Sequence, residues 1–189
     1  MAWKIEHKQQ TRQRILQSAG QLFTTLGFKQ VSIDDVMQHA KLTRGAFYHH
    51  FASKQALYCE AIVFFAQHSS QARQQQADSL QEVIYLYLSM DHVTGKLSPC
   101  PLAFLISDIG LEDQLAKDSY GLVFDALVKR LSEASAVDQV KATQAAITMI
   151  GAVALARTMQ SETQTASILA AARSNTLHLL GLTSDRSCG

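Results

Sequence analysis

The sequence predicts an all-α fold of about nine helices. Three observations carry this. The 189 residues include only 2 prolines, Pro99 and Pro101, which leaves long stretches without a helix breaker. Apolar residues make up 47% and charged residues 17%, with a net charge of +1, so the chain can bury a core and is not of disordered composition. The apolar positions recur with a period near 3.6 residues rather than 2.

The elements follow in order. Ile15, Leu16, Ala19, Leu22, Phe23 and Leu26 share one helical face, and Gly27 stands where a carboxy-terminal cap is expected. Ser32 is an amino-terminal cap with Asp35 at the third helical position, an Asp variant of the capping box, and Val31 and Val36 occupy the two positions of a hydrophobic staple. The short helix that follows carries Ile33, Val36, Met37 and Ala40 on one stripe. Thr43 caps a third helix over 44–51, and Ser53 a fourth with Leu57, Ala61, Phe64 and Phe65 on one face. Residues 67–79, rich in glutamine, read as a solvated helix end and connection. Leu80, Val83, Ile84, Tyr87 and Leu88 mark a fifth helix, and Thr94-Gly95 and Ser98-Pro99 a loop. The apolar run 102–109 predicts a buried helix, and further helices are expected over 113–131, 136–159 and 165–182. Twelve alanines between Ala134 and Ala172 suit close backbone approach, either inside the core or between subunits.

Composition excludes several classes. The cysteines Cys59, Cys100 and Cys188 are far apart and form no CxxC pair, so neither a disulfide framework nor a zinc ribbon is supported. Asp91 and His92 lack a third ligand at a convincing spacing, and no metal or cofactor is expected. Thr94-Gly95-Lys96 is not a phosphate-binding loop because the preceding glycines are absent, and no nucleophile stands beside a base, so the chain is not read as an enzyme. Met1 to Gln10 is too polar for a secretion signal, and Ala145–Ala156 falls short of the roughly 20 apolar residues that cross a bilayer. A soluble, cytoplasmic protein without membrane contact is expected.

Charge is unevenly divided. Residues 1–58 carry eight basic against three acidic side chains, net +5, and the other 131 carry nine against thirteen, net −4. A basic end on a mildly acidic body suggests that the first meets a polyanion. Within it, two short helices joined by a tight turn have the proportions of a helix-turn-helix, whose second helix enters the major groove of DNA. At 100° per residue Phe47 and Phe51 turn inward, Gly45, Tyr48 and His49 outward, and Arg44 lies on the boundary. Arg44, at the start of its helix, can bond guanine O6 and N7, and Gly45 lets the backbone approach the duplex. Tyr48, His49 and Lys54 can contact phosphates, with backbone donors at the helix start after Ser53. Asp34 repels phosphate.

These residues resemble the TetR family of one-component repressors. The stretch Thr11 to Ile62 is similar to the family's DNA-binding region, most closely at Val31-Ser32-Ile33 and over 42–57, where Tyr48, Phe51, Lys54 and Leu57 stand at the family's intervals. The resemblance implies an all-helical homodimer, with an amino-terminal three-helix domain, residues 1–55, that binds double-stranded operator DNA through its helix-turn-helix, and a larger domain of about six helices, residues 56–189, for ligand binding and dimerisation. Family contact positions fall on Ser32, Arg44, Gly45, Tyr48, His50 and Lys54; the helical wheel turns His50 inward, whereas the family pattern permits a phosphate contact.

Beyond residue 62 the resemblance weakens. Pro99-Cys100-Pro101-Leu102-Ala103 and residues 151–157 look like a subgroup carrying Gly-Cys-Pro-Leu-Ala, here with Pro99 in place of Gly. In some relatives a cysteine at this place senses electrophiles or oxidants; Cys100 would need a depressed pKa and access to solvent for that, and is otherwise a small buried hydrophobe. A pocket for an unknown small-molecule inducer would draw on Tyr87, Cys100, Phe104, Ile106, Asp108, Tyr120, Phe124, Met149 and Arg157, an apolar set with a few polar groups. Asp108 and Arg157 would need a partner, each other or a charged ligand. The reading is therefore an inducer-released repressor on a palindromic operator; the alternative is a helical protein–protein adaptor, which would not need Arg44, Tyr48 and Lys54 together.

Overall fold

In the computed structural model, which describes residues 2–182, eleven helices make up the described chain: α1 Ala2–Leu26, α2 Ile33–His39, α3 Arg44–Tyr48, α4 Lys54–Gln75, α5 Leu80–Tyr87, α6 Met90–Val93, α7 Pro101–Phe104, α8 Ile106–Ile109, α9 Gln114–Ser135, α10 Gln139–Ala156 and α11 Glu162–Leu179. Cys188 lies outside the described residues. The predicted class is correct, and the count exceeds nine for local reasons. Ser89 caps an extra turn, its Oγ accepting the His92 N–H at 3.2 Å, which gives α6. The run 102–109 is not one buried helix: Leu105, at φ −107° and ψ 3°, ends α7 and opens α8. That bend keeps Leu102, Leu105 and Ile109 buried while Ile106 turns out, 45% exposed. Bounds differ as well: α1 starts well before its apolar stripe, α3 stops at Tyr48, α4 runs to Gln75, α9 runs on to Ser135, α10 is shorter by three residues at each end, and α11 lies three residues earlier than expected. Ser69 and Arg73 in the glutamine-rich stretch are buried, so it is not simply a solvated end. No described helix is long and apolar enough to cross a membrane.

The chain divides into two compact units, Met1–Ser69 with Cys100–Val123, and Ser70–Pro99 with Phe124–Gly189. In the first unit α1, α2 and α3 close a small core with the first half of α4. Ile15, Phe23, Val36, Met37, Phe47, Leu57, Ile62 and Phe65 are buried there. Each such side chain contributes about 1.5–3 kcal/mol on burial. Gly27, at φ +82°, ends α1 by returning its N–H to the Phe23 carbonyl at 2.8 Å, as a cap in the left-handed region requires. Segment α7 packs on α1. In the second unit α10 lies along α11, joined by Asn175 Nδ2 donating to Thr148 Oγ1 at 3.2 Å, with α11 against α5 and α10 against α6. Alanines 142, 145, 146, 152 and 156 fill the buried face of α10, so part of the alanine-rich stretch is intramolecular core.

The approach of α1 to α4 depends on Gly20, where a Cβ would lie 2.5 Å from Phe65 Cβ and Cγ. Alanine normally gains about 1 kcal/mol over glycine inside a helix. Here it would press on the root of a buried aromatic, which cannot swing aside, and overpacking costs about 1–3 kcal/mol or more. Gly20→Ala is therefore expected to lower the thermal unfolding midpoint by several degrees; an unchanged or higher midpoint would contradict this packing.

Candidate nucleic-acid interface

Helices α2 and α3 are each too short to persist alone, so caps and burial hold them. The capping box at α2 is complete: Ser32 Oγ accepts the Asp35 N–H at 3.1 Å, and Asp35 Oδ2 accepts the Ser32 N–H at 2.8 Å and its hydroxyl at 2.6 Å. These bonds hold the Asp35 carboxyl below its ordinary pKa. Val31 and Val36 are both buried, as the staple requires. At the other end Arg14 Nη2 donates to the Ala40 carbonyl at 2.7 Å, tying α1 to the end of α2. The turn passes through Lys41 at φ +53°, with the Leu42 N–H bonded to the Met37 carbonyl at 2.9 Å.

Thr43 precedes α3 in extended conformation, without a side-chain cap bond. Phe47 and Phe51 are buried with ring centroids 5.8 Å apart, and the Arg12 guanidinium stands 4.8 Å over Phe51. The opposite face is open. Tyr48 is 58% exposed, its ring edge-on to Phe47 at 5.1 Å. Gly45 is exposed, and a Cβ there would meet nothing within 4 Å. Arg44 is exposed, with Nη1 2.6 Å from Asp34 Oδ2. Tyr48 first, and then Asp34, raise its pKa further. Asp34 was expected only to repel phosphate, and its pairing with Arg44 across the turn was not foreseen.

The remaining expected contacts lie around this face. His49 is exposed at the end of α3. His50 is half-buried with Nδ1 unpartnered, and burial, followed by Lys8 and Arg12, lowers its pKa, in keeping with the inward turn of the wheel. Ser53 Oγ accepts the Ala56 N–H at 3.0 Å and starts α4. Lys54 is half-buried, its Nζ 4.1 Å over the Phe28 ring. Burial lowers its pKa, opposed by Glu112 and Asp35. Phe28 in turn lies 4.6 Å from Tyr58, which is edge-on to Phe23 at 5.0 Å. The Lys54 stem is thus mounted on the core.

The sequence profile described as "Bacterial regulatory proteins, tetR family" matches residues 15–61, the segment that builds this face. Over those residues the chain is similar to the TetR family. The Transposon Tn10 TetC protein of Escherichia coli is 44% identical over 52 residues, 28% of this chain and 26% of that protein. The A-factor receptor protein of Streptomyces griseus is 35% identical over 75 residues, 40% of this chain and 26% of that protein. The chain spans about a quarter of the length of these curated relatives. Over most of its length it shares the fold of a TetR-family transcriptional regulator from Cytophaga hutchinsonii, with TM-score 0.70, 21% identity and coverage of 91% of this chain and 96% of that one.

The residues expected at a ligand pocket fall in both units. In the first, Cys100 is buried at the start of α7, as the small-hydrophobe reading requires, and Phe104 is half-buried. Tyr120 donates its hydroxyl to the Leu102 carbonyl at 2.5 Å. Asp108 turns its carboxylate to Gly27, where a Cβ would lie 2.5 Å from Oδ2. A cleft of about 400 Å³ in this unit is lined by Gln10, Gln13, Arg14, Gln17, Phe64 and His68, none of them expected. In the second unit Tyr87 and Met149 are buried, Phe124 is half-buried, and Arg157 is exposed at the end of α10. Tyr87 carries the Arg73 guanidinium over its ring at 5.3 Å and the His92 ring edge-on at 4.7 Å. No cluster of metal-ligating residues occurs among the described residues.

His92 is fully buried, with Nδ1 2.6 Å from the Tyr87 carbonyl. Burial first, then Arg73, pushes its pKa down from 6.5 to about 4, so the folded ring is neutral and bears its proton on Nδ1. The unfolded chain binds that proton near pH 6.5, so stability is full above that value and falls as pH drops toward 4, by roughly 3 kcal/mol in all. Urea unfolding at pH 7 and pH 4.5 should show this loss, and His92→Gln should remove most of the difference between the two. An equal pH dependence in both proteins would refute the assignment.

Proposed function

We propose that this chain is a ligand-responsive, DNA-binding transcriptional repressor of the TetR family whose dimer reads a palindromic operator and is released by a small-molecule inducer. The observation that carries the reading is the two-sided α3: Phe47 is buried beneath it while Arg44, Gly45 and Tyr48 share its exposed face. Residues 1–55 then serve the operator, and residues 56–189 serve ligand and dimerisation. Arg44 reads a guanine edge, Gly45 admits the sugar–phosphate backbone, and Tyr48, His49 and Lys54 take phosphates. Ser32 and His50 are flanking phosphate contacts, Ser32 in addition to its capping work. Arg44→Ala should cost about 1–3 kcal/mol and relax one base position, whereas Lys54→Ala should weaken binding to all sequences and lower the salt slope by about 1. Mobility shifts on duplexes selected from a random pool measure both; parent-like binding by the two variants would exclude this site.

A dimer is supported by α10. Val140, Ile147 and Leu155 follow one helical stripe and are 67%, 59% and 51% exposed, with exposed Gly151 between the last two. On α11, Ala166, Ser167, Ala170, Ala171 and Ser174 are also exposed and small enough for another helix to lie close. Two α3 helices about 34 Å apart then meet successive major grooves, and a ligand that favours another spacing weakens DNA by a coupling of about 1–3 kcal/mol. Helix α4, which starts with Lys54 and continues to Gln75, transmits the change. Ile147→Glu should leave the monomer folded and shift sedimentation from dimer to monomer, with loss of operator binding; a dimer that survives the charge would place the interface elsewhere.

A further inference from the structure

The Arg44–Asp34 ion pair is the one feature of the exposed face that the sequence reading left without a role. Asp34 sits in the first turn of α2 and Arg44 in the first turn of α3, both side chains more than half exposed, with Nη1 and Oδ2 2.6 Å apart. A surface pair of this kind contributes little to stability. Its geometry matters for what Arg44 can do. A guanidinium has five N–H donors, so the bond to Asp34 restrains where it can swing and still leaves donors for the O6 and N7 of a guanine.

We propose that Asp34 is a specificity-determining residue: it positions the Arg44 guanidinium for a base edge and penalises its use as a phosphate grip. This rests on the DNA-binding reading above. On an unselected duplex, an Arg44 that swings to a phosphate gives up Asp34, and the abandoned carboxylate then faces the polyanion. At the selected site Arg44 keeps Asp34 as its counter-charge while it bonds the base. Asp34 thus lowers sequence-independent affinity, and the ratio of specific to non-specific binding rises.

The test uses the full-length protein, a duplex that the parent selects from a random pool, the same duplex changed at the base pair that Arg44→Ala ceases to distinguish, and an unselected duplex of equal length. Asp34→Asn should raise affinity for the unselected duplex by roughly fivefold at 0.15 M salt, the change that one more neutralised phosphate makes. It should lower discrimination at the Arg44 base pair by a similar factor. In an Arg44→Ala background, Asp34→Asn should leave that discrimination unaltered. Asp34→Glu, which keeps the charge, should retain the parent's low affinity for the unselected duplex. The proposal is overturned if Asp34→Asn leaves discrimination at the parent's value, if it weakens all three duplexes alike as loss of α2 would, or if Asp34→Glu binds the unselected duplex as Asp34→Asn does. A parent that selects no sequence at all would overturn the DNA-binding reading itself.

Discussion

Burial of Phe47 and Phe51 holds together everything the amino-terminal module presents. Helix α3 has five residues, far below the length at which a helix persists in water, so its backbone is imposed by neighbours. The Ser32–Asp35 box fixes where α2 begins, Arg14 on the Ala40 carbonyl holds its end, and Arg12 stands over Phe51 just beyond α3. Once the two rings are inside, a period of 3.6 leaves Gly45 and Tyr48 no choice but to face out. The exposed face is therefore a consequence of the core, and a change to either ring would scatter residues that it never touches.

Charge acts on top of that frame. The basic excess of residues 1–58 supplies a general attraction for a polyanion, which falls with salt. Two of the named cations are tied by more local forces: Arg44 to Asp34, and Lys54 to the ring of Phe28, with Asp35 and Glu112 near enough to favour its charged form. Both are held in place by the fold before any partner arrives, which reduces the rotamer entropy that binding would otherwise remove.

Features built from contacts three or four residues apart were legible in the sequence. The capping box, the Val31–Val36 staple, the Gly27 cap and the inward Phe47 and Phe51 all follow from i to i+3, i+4 or i+5 spacing. What escaped was built across longer separations. Asp34 and Arg44 stand ten residues apart, on helices whose mutual angle only the turn at Lys41 decides. Arg73 looked like part of a solvated glutamine-rich end, yet it lies buried with its Nη1 on the Ser98 carbonyl. The break at Leu105 escaped because a run of apolar residues has no periodic contrast, so nothing in it says which face the core will claim.

The carboxy-terminal portion was less legible for a related reason. Two of its buried polar groups, His92 and Thr165, are satisfied by local carbonyls rather than by a motif with fixed spacing. At 21% identity to a solved relative the helical layout persists, because exchange of one apolar side chain for another of similar volume preserves a core. Side chains that would meet a ligand are under no such constraint.

The central claim is that the face of α3 bearing Tyr48 meets duplex DNA. Hydroxyl-radical labelling of the protein, read by mass spectrometry with and without a selected duplex, tests it most directly. Tyr48 should be labelled readily alone and protected in the complex, while buried Phe47 stays unlabelled in both. A bound duplex that leaves Tyr48 as reactive as before would contradict the account.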